Sequence, residues 1–215
     1  MKTMKFIPLI LAALCATAWT ARAQTKPLYE NTFEQAKVGK VPDGMVVLDG
    51  GFAVREADGN KFLELPGAPL DTFGVLFGPS VQANVTVEAR VFGTATGRRY
   101  PTFAVSVNGA GGYRLKVSPG RRALELFQGD ANQLAVPFAW QPGKWTHLKL
   151  ALRKVKDGAW RVEGKAWADS QTEPAAWMIA LDVTDEPHAG RPGLFGSPIA
   201  GTPIRFDDLR VSALP

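Results

Sequence analysis

Apolar and polar residues alternate with a period of two along most of this chain, and no stretch holds a 3.6-residue apolar stripe over three turns. In Thr146–Leu152, Leu148, Leu150 and Leu152 fall on one side, while Trp145, His147, Lys149 and Ala151 fall on the other. Successive side chains of a strand point to opposite faces, so this segment reads as a strand with one dry and one wet face. Asn84–Phe92 repeats the pattern, with Val85, Val87, Ala89 and Val91 inward and Thr86, Glu88, Arg90 and Phe92 outward. Phe103, Val105 and Val107, then Tyr113, Leu115 and Val117, then Leu124 and Leu126, extend it. Asn108–Gly112, Pro119-Gly120, Pro142-Gly143 and Asp157-Gly158 separate the runs and supply the backbone freedom that tight turns need. The spacing predicts a three-strand meander over Thr102–Phe127 and a long hairpin over Lys144–Ala166 closed near Asp157-Gly158. It also predicts a closing strand over Ile204–Leu214, where Phe206-Asp207-Asp208-Leu209-Arg210-Val211 breaks the alternation and calls for a bulge. Roughly a dozen strands and no helices form an all-β fold of two packed antiparallel sheets or a barrel.

The first residues change this picture. Lys2 and Lys5 precede an apolar run, Phe6–Trp19, and Ala21-Arg22-Ala23 follows. That order is an export signal with a small-x-small cleavage site, and the run is short for a membrane span. Leu14 beside Cys15 is larger than a lipoprotein cleavage site takes. Removing residues 1–23 of the 215 leaves 192, enough for a single β-sandwich domain over 24–215 with its own core. The leader takes three of the 25 basic residues and no acid, so 22 basic residues face 20 acidic ones, a net of +2 where the whole chain has +5. A near-neutral exported chain lacks the concentrated basic face that nucleic acid requires. Cys15 leaves with the leader, and with it go disulfides, thiolate metal sites and cysteine nucleophiles. The expected location is the periplasm or the medium.

Motifs spread over the mature chain carry a resemblance. They are Val38-Gly39-Lys40-Val41-Pro42-Asp43-Gly44, Phe62-Leu63-Glu64-Leu65, Gly143-Lys144-Trp145-Thr146-His147-Leu148, Glu173-Pro174-Ala175-Ala176-Trp177 and Phe206-Asp207-Asp208-Leu209-Arg210-Val211. With these the chain resembles the concanavalin-A-like lectin and glucanase jelly roll, in particular secreted bacterial laminin-G-like and 3-keto-disaccharide-hydrolase-like domains. The resemblance implies a two-sheet sandwich and a sheet face that takes glycan. It implies no particular chemistry, because this fold hosts lectins, glucanases, lyases and passive modules. The Glu-x-Asp-x-x-Glu strand of the glucanase branch and the Gln-x-His strand of the alginate-lyase branch are both missing.

The candidate chemistry is therefore that of a sugar contact. An aromatic face packs against the C–H face of a sugar ring at little entropic cost. Trp167, whose parity along its strand is opposite to that of Trp160, is expected to be an exposed aromatic, and Trp140 lies just before a turn where it can rim a cleft. Trp145 and Trp177 fall at scaffold positions. His147 stands on an outward face. Arg99 and Tyr100 in a Gly-rich hairpin tip, with Arg114, offer planar donors for an acidic glycan; the plainer reading is a solvated tip. Glu88, Glu125 and Glu163 are expected on solvent faces, where they can pair with strand Arg and Lys. His188 lies in a loop with Asp185 and Glu186. Glu30, Asp207 and Asp208, on the first and last strands, are the candidate oxygens for a structural calcium, since hard cations take carboxylates. Three functions fit: a non-catalytic glycan-binding or envelope-associated module, a glycoside hydrolase or lyase acting on a 3-keto-glycoside or polysaccharide, and a structural or protein-interaction domain with no sugar site.

Overall fold

The computed structural model describes residues 26–68 and 71–214. The expected leader, with Cys15, lies outside the described residues. The strands in chain order are β1 (Tyr29–Asn31), β2 (Val46–Asp49), β3 (Ala53–Ala57), β4 (Asn60–Leu65), β5 (Phe73–Leu76), β6 (Val85–Phe92), β7 (Thr102–Val107) and β8 (Tyr113–Ser118). They continue with β9 (Ala123–Gln128), β10 (Ala131–Pro137), β11 (Thr146–Lys156), β12 (Ala159–Ala168), β13 (Ile179–Val183), β14 (Gly193–Ser197) and β15 (Ile204–Ala213). One 3₁₀ turn, Pro119–Arg121, is the only helical element among the described residues. No helix among them is long and apolar enough to cross a membrane.

Two antiparallel sheets form a sandwich, one of the two arrangements that the alternation allows and the jelly roll that the resemblance implies. One runs β13-β12-β11-β6-β15-β4-β3, with β1 also beside β15, and the other runs β10-β9-β8-β7-β14-β5-β2. The inward sets read from the sequence fill the space between them: Val87, Val91, Val105, Leu115, Leu124, Leu148, Leu150 and Leu152 are all fully buried. Phe77, Phe103 and Phe206 join them. Each such side chain contributes about 1.5–3 kcal/mol on leaving water. The sheets come close where β12 carries Gly164, because a Cβ there would lie 2.4 Å from Leu115 Cδ1.

The expected meander is β7–β8–β9, extended by β10. The expected hairpin is β11–β12, with Gly158 at φ +68° and a register shift between Lys154 and Lys156. At Asp58-Gly59, closing β3–β4, both turn residues have positive φ (53° and 74°), the geometry of a two-residue type I′ turn. The last strand is bulged between Asp207 and Arg210, as its pattern requires. Asp208 takes φ +50°, and its N–H donates to Asp207 Oδ1 at 2.8 Å. The bulge divides β15: Ile204–Phe206 pair with β4, and Leu209–Val211 pair with β1. First and last strands are thus neighbours.

Two carboxylates expected on solvent faces are covered. Glu125 is 1% exposed and Glu163 is 8% exposed. Both stand outward, but long basic side chains and hydroxyls fold over them. Glu125 accepts from Ser118 Oγ, from Arg121 Nη1 at 2.9 Å and from Asn132 Nδ2 at 2.9 Å. Glu163 lies beneath Arg153 and Arg161, which face one another across the β11–β12 pair. Like charges directly opposite repel, and a carboxylate set between them offsets that cost.

Candidate functional site

The β11–β12 register places His147 directly opposite Trp167, and β6 places Arg90 on the other side of His147. The imidazole and the indole stack, with centroids 5.0 Å apart and planes 7° apart. His147 Nε2 lies 2.7 Å from Asp169 Oδ1, a residue that follows the end of β12. Trp167 is 8% exposed, not the open platform the sequence suggests, because His147 covers one face of its ring.

From β6 and β15 come the other walls. Arg90 spans Asp207 and Asp208, at 2.8 Å and 3.0 Å, and its guanidinium lies 4.5 Å over the Trp145 ring. Asp207, 1% exposed, also accepts from Asn60 Nδ2 at 3.0 Å. Burial raises the Asp208 carboxyl above its ordinary range and the Asp207 charge adds to this, against the lowering effect of Arg90 and His147. Arg210 faces Glu30 across the β15–β1 pair at 3.7 Å. Glu88 is held by Lys149 Nζ at 3.1 Å.

These side chains enclose a cleft of about 260 Å³ on the outer face of the eight-stranded sheet, lined by Glu30, Thr32, Glu88, His147, Trp167, Asp208 and Arg210 above Ala89 and Leu148. It gathers five of the residues singled out in the sequence: Glu30, Glu88, His147, Trp167 and Asp208. The remaining candidates lie elsewhere. Arg99 and Tyr100 form an exposed tip between β6 and β7, closed by the Thr96–Arg99 bridge. Trp140 packs edge-on against Phe103 at 5.9 Å. Arg114 is on the outer face of the other sheet, 4.6 Å over the Phe195 ring and donating to the Gly129 carbonyl at 2.9 Å. Trp177 carries Lys165 over its ring at 4.8 Å.

Arg210 and Thr32 complete the lining and Asp169 holds His147, none of the three having been singled out. Counting back from Asp157-Gly158 finds the His147–Trp167 pair only if the one-residue bulge in β11 is included; Asp169 then follows as the residue just past the strand end. Arg210 follows from Glu30 once β1 is set beside β15.

The first- and last-strand carboxylates do not fit a calcium ion. Asp207 spends its oxygens on Arg90, Asn60 and the Asp208 N–H. The Arg90 guanidinium stands where a cation bridging Asp207 and Asp208 would sit, and Glu30 turns to Arg210. Among the described residues no group of three or more His, Cys, Asp or Glu is arranged to hold a metal ion.

No family model matches the chain, and no curated protein matches it. Solved structures do. The carbohydrate-binding module CBM66 of Bacillus subtilis superposes with a TM-score of 0.54 at 14% identity, over 79% of this chain and 96% of its own. The PL-14 alginate lyase of Aplysia kurodai gives 0.59 at 9% identity, over 88% and 100%. The exoplasmic/lumenal domain of VIP36, in its Ca²⁺/Man2-bound form, gives 0.55 at 8% identity, over 81% and 84%. At these identities the likeness is one of fold, the concanavalin-A-like jelly roll that the sequence motifs resemble.

Proposed function

We propose that this concanavalin-A-like jelly roll is an exported, non-catalytic carbohydrate-binding protein whose ligand seats between His147–Trp167 and Glu30–Arg210. The observation that carries the reading is the make-up of that cleft: a stacked imidazole–indole wall faces carboxylates, a guanidinium and a hydroxyl across one opening. Rings supply contact area at low entropic cost, and fixed donors and acceptors match sugar hydroxyls. A volume of about 260 Å³ sits just under the pockets of drug-sized ligands and suits one sugar unit. The structural neighbours support the class: one is a carbohydrate-binding module, one is a lumenal domain described with bound Man2, and one is a polysaccharide lyase.

The test is affinity electrophoresis of the purified protein through gels holding neutral or acidic polysaccharides, with calcium or with a chelator. Retardation by at least one glycan is expected, about tenfold weaker in His147→Ala and in Trp167→Ala, which each remove a ring contact. Chelation is expected to change nothing, since Arg90 already holds the Asp207–Asp208 pair. No retardation in any gel would transfer the reading to a structural or protein-binding role.

One observation favours a catalytic alternative. A carboxyl raised by burial, Asp208, shares the cleft with an imidazole held by Asp169, which is the pairing acid–base cleavage uses. New reducing ends in the retarding gels, lost in Asp208→Asn, would install that reading in place of the passive one.

A further inference from the structure

The charges around the cleft do not cancel. Its lining holds three carboxylates, Glu30, Glu88 and Asp208, against one permanent cation, Arg210, and the His147 imidazole. The partners of these groups leave the balance unchanged: Asp207 and Asp169 add two carboxylates, and Arg90 and Lys149 add two cations. With histidine counted as neutral, two negative charges remain in excess, on a molecule whose net charge on the same count is positive. The excess is not buried out of reach. The side chains of Glu30 and Asp208 are 53% and 47% exposed, and the Glu30–Arg210 contact at 3.7 Å is the longest ion pair in the cleft. Asp208 is raised chiefly by burial, with the Asp207 charge adding to this and Arg90 and His147 opposing it. A uronate brought into this cleft would add a further anion beside Glu30, Glu88 and Asp208. An ammonium group would find two accessible carboxylates.

We infer that the sugar unit recognised in this cleft is a cationic amino sugar, its ring against His147–Trp167 and its ammonium between Glu30 and Asp208. The inference rests on the carbohydrate-binding reading above and adds the charge of the ligand. A charge-assisted hydrogen bond to a carboxylate is about twice as strong as a neutral one, so the preference is large enough to read.

Calorimetric titration with short oligomers of glucosamine, N-acetylglucosamine, glucose and a uronic acid, together with tri-lysine, tests it. The expected result is binding of the glucosamine oligomer about tenfold tighter than the acetylated and glucose oligomers, with no uronate binding. The ratio is expected to shrink toward one in Asp208→Asn and in Glu30→Gln, and to fall as salt screens the charges. Both positions are partly exposed and the changes are isosteric, so either variant alone serves if the other folds poorly. The protein's net positive charge removes general attraction to a polycation as an explanation. Equal affinity for the neutral and cationic oligomers, or tighter uronate binding, would overturn the inference and leave the carbohydrate-binding reading standing. Tri-lysine binding as tightly as the glucosamine oligomer would overturn it too, since the site would then read charge without a sugar ring. Binding of none of these probes would overturn both.

Discussion

At His147 one imidazole meets an indole on one side and a carboxylate at 2.7 Å on the other, and the strand backbone fixes where it stands. Its nearest counterpart as a polar anchor is Asp207. This carboxylate accepts from Arg90, from Asn60 and from the Asp208 N–H, so it ties β6, the start of β4 and the bulge of β15 together. Removing one partner of such a pair leaves a poorly solvated charge behind. Asp207→Ala is expected to cost about 3 kcal/mol, tempered by Asp208, which still reaches Arg90. Denaturant titration checks it: the midpoint falls while the slope stays the same. A midpoint within error of the parent would mean that Asp208 alone satisfies Arg90.

The β11–β12 hairpin holds two pairs of like charges directly across the strands, Lys149 with Lys165 and Arg153 with Arg161. Each pair has a carboxylate bridge. Glu163 serves the arginines, and Glu173, from the connector after β12, reaches Lys165 at 2.7 Å and Lys149 at 3.2 Å. Burial pushes the Glu173 carboxyl up, but the hydrogen bonds and charges of the two lysines outweigh it and hold the group below the usual carboxylate range. A depressed folded value adds stability that is present above the unfolded value and is lost as pH falls through the folded one. Glu173→Gln is therefore expected to melt below the parent at neutral pH, with the gap closing once both states are protonated in acid. Melting curves from neutral to strongly acid pH check this, and a gap independent of pH would remove the bridge from the account.

Across the molecule the pairings that join the hairpins and the meander into sheets link distant parts of the chain. Tyr29 pairs with Val211, Leu65 with Ile204, and Gly193 with Ser106. Loop closure must precede such contacts, so the chain is expected to refold in milliseconds to seconds, as sandwiches do. Stopped-flow Trp fluorescence measures it, and a microsecond phase carrying the full amplitude would contradict the topology. Phe33, fully buried just after β1, makes the N-terminal strand part of the core, so β1 is expected to gain protection from hydrogen exchange together with β15.

The sequence alone determined the all-β class, the inward-facing residues, the β7–β8–β9 meander, the β11–β12 hairpin and the bulge in the last strand, while the choice of a sandwich over a barrel and the adjacency of the two chain ends came from the resemblance. Alternation is a local property: a strand that must bury one face declares that face residue by residue. Short segments were less legible. Val46–Asp49 is exposed on both faces at a sheet edge, and β14 carries two glycines yet lies between β7 and β5. Only the tertiary structure decided which outward residues meet. A one-residue shift in β11 sets His147 opposite Trp167, and without it the pairing would slide to the neighbouring position, whose side chains face inward. The docking of β1 on β15 brings Glu30 to Arg210, and the bulge sets Asp207 and Asp208 on Arg90 rather than around a metal ion. Cross-strand neighbours depend on register and on which strands are adjacent, and both are settled by pairings between distant segments.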